Sequence, residues 1–78
     1  MNQEELRESI RERLASGKLP RHQSDRTWGG PGTGRACAVC GQPIPPSSSE
    51  IEDRGEDGVE LVYHARCHAL LSMVREQM

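Results

Sequence analysis

Residues 37–67 read CAVCGQPIPPSSSEIEDRGEDGVELVYHARC. This stretch opens on Cys37-x2-Cys40 and closes on His64-x2-Cys67, with 23 residues between the pairs. Two cysteines separated by two residues can share one ion when the chain turns tightly between them. Gly41 directly after Cys40 permits the left-handed backbone that such a turn needs. The set of three thiols and one imidazole matches the donors of closed, tetrahedral zinc sites.

The segment between the pairs reads as a β-hairpin. One strand is Glu50–Arg54, the turn is Gly55-Glu56-Asp57-Gly58, and the return strand is Val59–His64. Alternation sets Val59, Leu61 and Tyr63 on one face and Glu60, Val62 and His64 on the other. Before it, Pro43-Ile44-Pro45-Pro46 is extended and stiff, and Ser47–Ser49 is a short loop. After it, residues 65–77 read as a helix with Cys67, Leu71, Val74 and Met78 on one stripe, widened by Leu70. His64 then leaves a strand end and Cys67 sits in the first helical turn, where the positive helix terminus favours a thiolate. The expected ligands are Cys37, Cys40, His64 and Cys67, holding one Zn2+ per chain. His68 is the alternative to His64, but it lies about 100° around the helix from Cys67. Buried free cysteines are the bland alternative to the whole motif. Four S/N donors also suit other soft metals, iron included.

Upstream, residues 2–16 read as a helix. Asn2 is a candidate N-cap with Glu5 three residues on, and Gly17 and Pro20 end it. Leu6, Ile10 and Leu14 form one thin apolar stripe, and Glu4/Arg7 and Glu8/Arg11 pair opposite charges on the wet face. Residues 18–36 read as an irregular, Gly-rich linker. Trp28 within it is expected to dock over the metal module or the first helix; an exposed indole is the alternative. Gly29 and Gly34 have the outer spacing of a phosphate-binding loop. Arg35 and Ala36 follow where that motif needs Lys and Ser/Thr, so it is rejected. The organisation is residues 1–17 helix, 18–36 linker and 37–78 zinc-binding module. The fold class is a small metal-stabilised α+β: zinc knuckle and β-hairpin followed by a C-terminal helix, with an N-terminal helix and Gly-rich linker.

Composition agrees that a cross-link is required. The chain has 78 residues, 33% hydrophobic, with no Phe, one Trp and one Tyr. A core this poor barely offsets the entropy of ordering the chain. Three cysteines cannot all pair within one chain, which favours metal over disulfide. Residues 1–13 are polar rather than basic-then-apolar, and no apolar run approaches the ~20 residues of a membrane span. A cytoplasmic location without membrane association is expected. Residues 1–36 carry a balance of +2 and residues 37–78 a balance of −4. Three lost thiol protons and one dication take the formal charge from −2 to −3. Arg35 and Arg66 flank the ligands as candidate donors to the sulfurs, or are ordinary surface arginines.

At Cys37, Cys40, His64 and Cys67 the sequence resembles the first zinc module of a LIM domain. No second Cys/His set follows Cys67, so the resemblance is to a single-zinc LIM-like or treble-clef-type finger covering the latter half of the chain. It implies a protein-interaction role, through an unknown protein partner or self-association, which the thin stripe of the first helix also motivates. Nucleic-acid binding through Arg7, Arg11, Arg13, Lys18, Arg21, Arg26 and Arg35 is the alternative, opposed by the acidic hairpin. Thiol redox sensing is a further alternative. No catalytic constellation stands apart from the ligands, and the chain is not expected to be an enzyme.

Overall fold

Asn2 caps the first helix as its sequence predicts: its side-chain oxygen accepts the Glu5 N–H at 2.9 Å. The computed structural model describes residues 2–55 and 58–78. Helix α1 spans Gln3–Ser16 and ends on Gly17 in the left-handed region. Three antiparallel strands follow, β1 (Arg26–Pro31), β2 (Ser49–Arg54) and β3 (Glu60–His64), ordered β1-β2-β3. Helix α2, Ala65–Gln77, starts where β3 stops. Glu56 and Asp57 of the expected hairpin turn lie outside the described residues.

The chief departure from the sequence reading is β1. Residues 26–31 are a strand, not irregular linker, with Trp28 opposite Glu52 and Gly30 opposite Glu50. Gly-Gly-Pro has poor strand propensity; pairing with β2 imposes the conformation. The Gly32 N–H bonds to the Ser48 carbonyl at 2.9 Å, so even-numbered residues of this segment face β2 and Pro31 faces outward. A proline at an outward position lacks only a donor that the sheet does not use, and it blunts the free edge.

Both helices close on one core. Ile10, Leu14, Leu19, Ile44, Tyr63, Leu71 and Val74 are each at most 2% exposed, and Leu6 packs partly buried beside them. The apolar stripe of α1 therefore lies inside this chain, against α2. On α2, Cys67, Leu70, Leu71 and Val74 are buried as the stripe predicts, whereas Met78 is exposed. Trp28 is 50% exposed, with its ring 5.9 Å from the Arg54 guanidinium carbon. The expectation of a docked indole is thus corrected: the indole lies half-exposed on an edge strand, beside the Arg54 guanidinium. Strand alternation holds less simply than expected. Leu61 is partly buried and Tyr63 fully buried, but Val62 and His64 on the opposite face are buried too. The sheet is covered on both faces at its β3 end, where the Ala38 N–H bonds to the Val62 carbonyl at 2.8 Å.

Candidate metal centre

The Cys37–Cys40 turn is closed by its own backbone. Gly41 donates to the Cys37 carbonyl at 2.8 Å, Cys37 to the Gln42 carbonyl at 2.9 Å, and Ala36 bridges Pro43. Gly41 has φ 76°, a value that costs an L-residue free energy and glycine none. Downstream, Ile44 donates to the Arg35 carbonyl and Gly34 to the Ile44 carbonyl. Gly32 passes so close to this segment that a Cβ there would lie 2.1 Å from the Pro45 carbonyl oxygen. The loop returning from β1 and the loop entering β2 thus hold the turn against the sheet.

His64 is the last residue of β3 and the N-cap of α2, and Cys67 lies in the first turn of that helix. The chain reversal at residues 64–65 aims both side chains at the Cys37–Cys40 turn. One ligand atom from each of Cys37, Cys40, His64 and Cys67 lies within 4.8 Å of all the others. The His64 Nδ1 is 3.3 Å from the Cys40 Sγ and 4.0 Å from the Cys67 Sγ. Tetrahedral coordination at zinc–sulfur and zinc–nitrogen bond lengths sets ligand atoms about 3.5–3.8 Å apart. The cluster therefore fits one such ion after small side-chain rotations. Cys37, His64 and Cys67 are buried and Cys40 is half-buried.

The sulfurs are not equivalent. Burial acts to raise the Cys37 pKa, but the N–H groups of Cys40, His64 and Val39 more than offset this and bring it down to about 7. Two of these approaches measure 3.4 Å, from Val39 N and His64 N. Cys67 is pushed up to about 12, by burial first and then by the neighbouring Cys37 and Cys40. Burial and its neighbours thus oppose a thiolate at Cys67 unless a cation balances the charge. Three thiolates this close require a cation between them, and a dication supplies the missing charge.

The alternative ligand His68 points elsewhere. Its ring meets Tyr63 edge-on, with centroids 5.4 Å apart, and burial lowers its pKa. His22, in the polar segment before β1, is exposed. Arg35 is held by carboxylates instead: it bridges Glu50 at 3.1 Å, Glu52 at 3.6 Å and Glu60 at 3.7 Å. Arg66 is exposed. The arginine that does reach the turn is Arg13, from α1, which bonds the Ala38 and Val39 carbonyls. Glu50 is a second residue that alternation did not single out. It is 5% exposed, and its carboxylate accepts the Thr33 N–H at 3.2 Å and the Thr33 hydroxyl at 2.8 Å. Burial acts to raise its pKa; Thr33 and Arg35 reverse this and hold it below the usual carboxylate range.

No family model matches the chain, and neither does any curated protein or solved structure. Among the described residues, no helix is long and apolar enough to cross a membrane. The class that fold and site define is a small α+β protein with a Cys3His group able to hold a metal ion, compatible with zinc.

Proposed function

We propose that the chain is a zinc-binding protein whose Cys3His site is structural, and that the folded unit is a protein-interaction module. The convergence of four ligand atoms from two distant segments within 4.8 Å carries the zinc reading. The order of parts supports a single-zinc LIM-like or treble-clef-type finger: a turn with two ligands, a hairpin, then a helix whose start brings the other two. Four protein donors leave no coordination position for water or substrate, which supports a non-catalytic role.

The interaction reading does not draw on the α1 stripe, since Ile10 and Leu14 are buried within the chain. Its support is the half-exposed Trp28 on a three-stranded sheet, together with the weakness of the competing reading. Of the seven basic residues that would serve nucleic acid, Arg11 pairs Glu8, Arg13 and Arg21 bond carbonyls, and Arg35 is held by glutamates. Side chains so occupied are poorly placed to neutralise phosphates.

Metal content per chain, with thiols counted before and after a strong chelator, tests the zinc reading. One zinc, and three thiols that react only after chelation, is the expected result. A metal-free protein with reactive or bridged cysteines would overturn it in favour of redox sensing. Salt-sensitive binding to DNA or RNA would overturn the preference for a protein partner.

A further inference from the structure

Arg13 is distant in sequence from every ligand, yet its guanidinium lies across the Cys37–Cys40 turn. Nη1 donates to the Ala38 carbonyl at 2.7 Å and Nη2 to the Val39 carbonyl. Nε turns back to the Ser9 carbonyl at 3.4 Å, which fixes the plane of the fork on its own helix.

The two carbonyls belong to particular peptide units. The Ala38 carbonyl and the Val39 N–H are opposite ends of one planar unit, and the Val39 carbonyl and the Cys40 N–H are the ends of the next. The Val39 nitrogen lies 3.4 Å from the Cys37 sulfur and donates to it. The first unit is therefore held at oxygen by a cation and at nitrogen by a sulfur, and the second is held at oxygen by the same cation. Hydrogen bonds in series polarise one another, so the guanidinium strengthens the Val39 N–H···S bond without touching the sulfur. It also resists rotation of either peptide, which would turn the N–H away.

We propose that Arg13 is a positioning residue for the metal site: it fixes the two peptide units of the Cys37–Cys40 turn, one of which donates to the Cys37 Sγ, and so slows loss of the bound metal. The proposal rests on the zinc reading above. A site of three thiolates, one neutral imidazole and one dication carries a charge of −1, and a half-buried guanidinium on its outer side opposes that charge. Lysine can place one charge there but cannot bond both carbonyls in one plane.

The test is zinc dissociation from the full chain into excess chromophoric chelator, for the wild type, R13Q, R13K and I10V. I10V weakens α1 docking without altering the fork. Cobalt-substituted forms are compared for tetrahedral d–d absorption and sulfur-to-metal charge transfer. Metal loss about tenfold faster or more in R13Q is expected. R13K should lie between R13Q and the wild type, with a shifted charge-transfer band, and I10V should change the rate by less than twofold. If R13Q does not fold, R13K against I10V decides. Equal rates for wild type and R13K, or equal acceleration in R13K and I10V, would overturn the positioning role. A wild type that takes up no metal would instead remove the zinc reading itself.

Discussion

The two ends of the three-stranded sheet are held by different physics. At the end formed by Pro31, Ser49, Glu50 and His64, polar groups converge: four atoms able to hold a metal ion, two peptide N–H groups on one sulfur, and a buried glutamate bonded to Thr33 and Arg35. At the end formed by Arg26, Arg54 and Glu60, contacts are pairwise and separate. Ser24 bonds the Arg54 carbonyl, Arg54 pairs Glu60 at 2.8 Å, and the Thr27 hydroxyl reaches Asp53 at 3.3 Å. Near this end the buried Tyr63 hydroxyl, His68 Nε2 and Arg75 Nη1 have no hydrogen-bond partner among the described residues. One end is thus built around a single shared centre, and the other from separable pieces. Removing the centre should undo much of the molecule, whereas changes at the other end should stay local.

The largest effect is therefore expected on metal removal. Structural zinc contributes roughly 10–16 kcal/mol of apparent binding free energy near pH 7, more than a core of this size supplies. Chelation, or Cys67→Ser, should unfold the chain and release α1 as well, because Arg13 ties that helix to the ligand turn. Far-UV circular dichroism would show helix loss beyond α2 alone. Retention of α1 signal after chelation would mean that the apolar contacts of Ile10 and Leu14 suffice without the metal.

Gly32→Ala ranks second. The added Cβ would meet backbone oxygens of Pro45 at 2.1 Å and Ile44 at 2.5 Å, and backbone does not yield as a side-chain tip does. A cost of about 3 kcal/mol is expected, read as a lower chemical-denaturation midpoint, with faster metal loss because the same segment backs the turn. An equivalent change at Gly30, which has open space around it, should cost far less.

Glu50→Gln should cost about 1 kcal/mol at neutral pH, since its partner Arg35 is substantially exposed and screened. The pH dependence has a definite sign. A carboxyl with a lowered folded pKa stabilises fully above its unfolded value and loses that stabilisation as pH falls through the folded value. The gap between wild type and variant should therefore close in acid, below the ordinary carboxylate range. Glu52 shifts the other way, raised first by its hydrogen bond with Glu60, so Glu52→Gln is the contrasting control.

What was legible in the sequence follows the same division. Helix α1 carried an Asn2 cap and a Gly17 stop, and α2 and the β2–β3 hairpin had local periodicity. The ligand spacing joined these pieces, so the cluster of Cys37, Cys40, His64 and Cys67 could be read before any coordinates. β1 could not be, because Gly29-Gly30-Pro31 has poor strand propensity and owes its form to β2. Nor could Arg13, Glu50 or the burial of Val62 and His64, since each depends on which segments meet. Arginine at position 13 looks in sequence like one more charge on a wet helix; only tertiary packing sets it over two carbonyls.

Tyr63→Phe is the smallest expected effect and probes the far end most directly. Tyr63 is fully buried, and its pKa is pushed up to about 12, by burial first and then by Asp53. A buried hydroxyl without a protein partner pays its desolvation cost and gains no bond in return. Phenylalanine keeps the ring and its edge contact with His68 while removing that cost, so stability should be unchanged or raised by up to about 1 kcal/mol. A loss above about 1 kcal/mol would mean that an ordered water links Tyr63 to Asp53 or Arg75, and the two ends would then differ in the partner used rather than in satisfaction. Metal dissociation should not respond in either case, because among the described residues the Tyr63 hydroxyl bonds to no ligand.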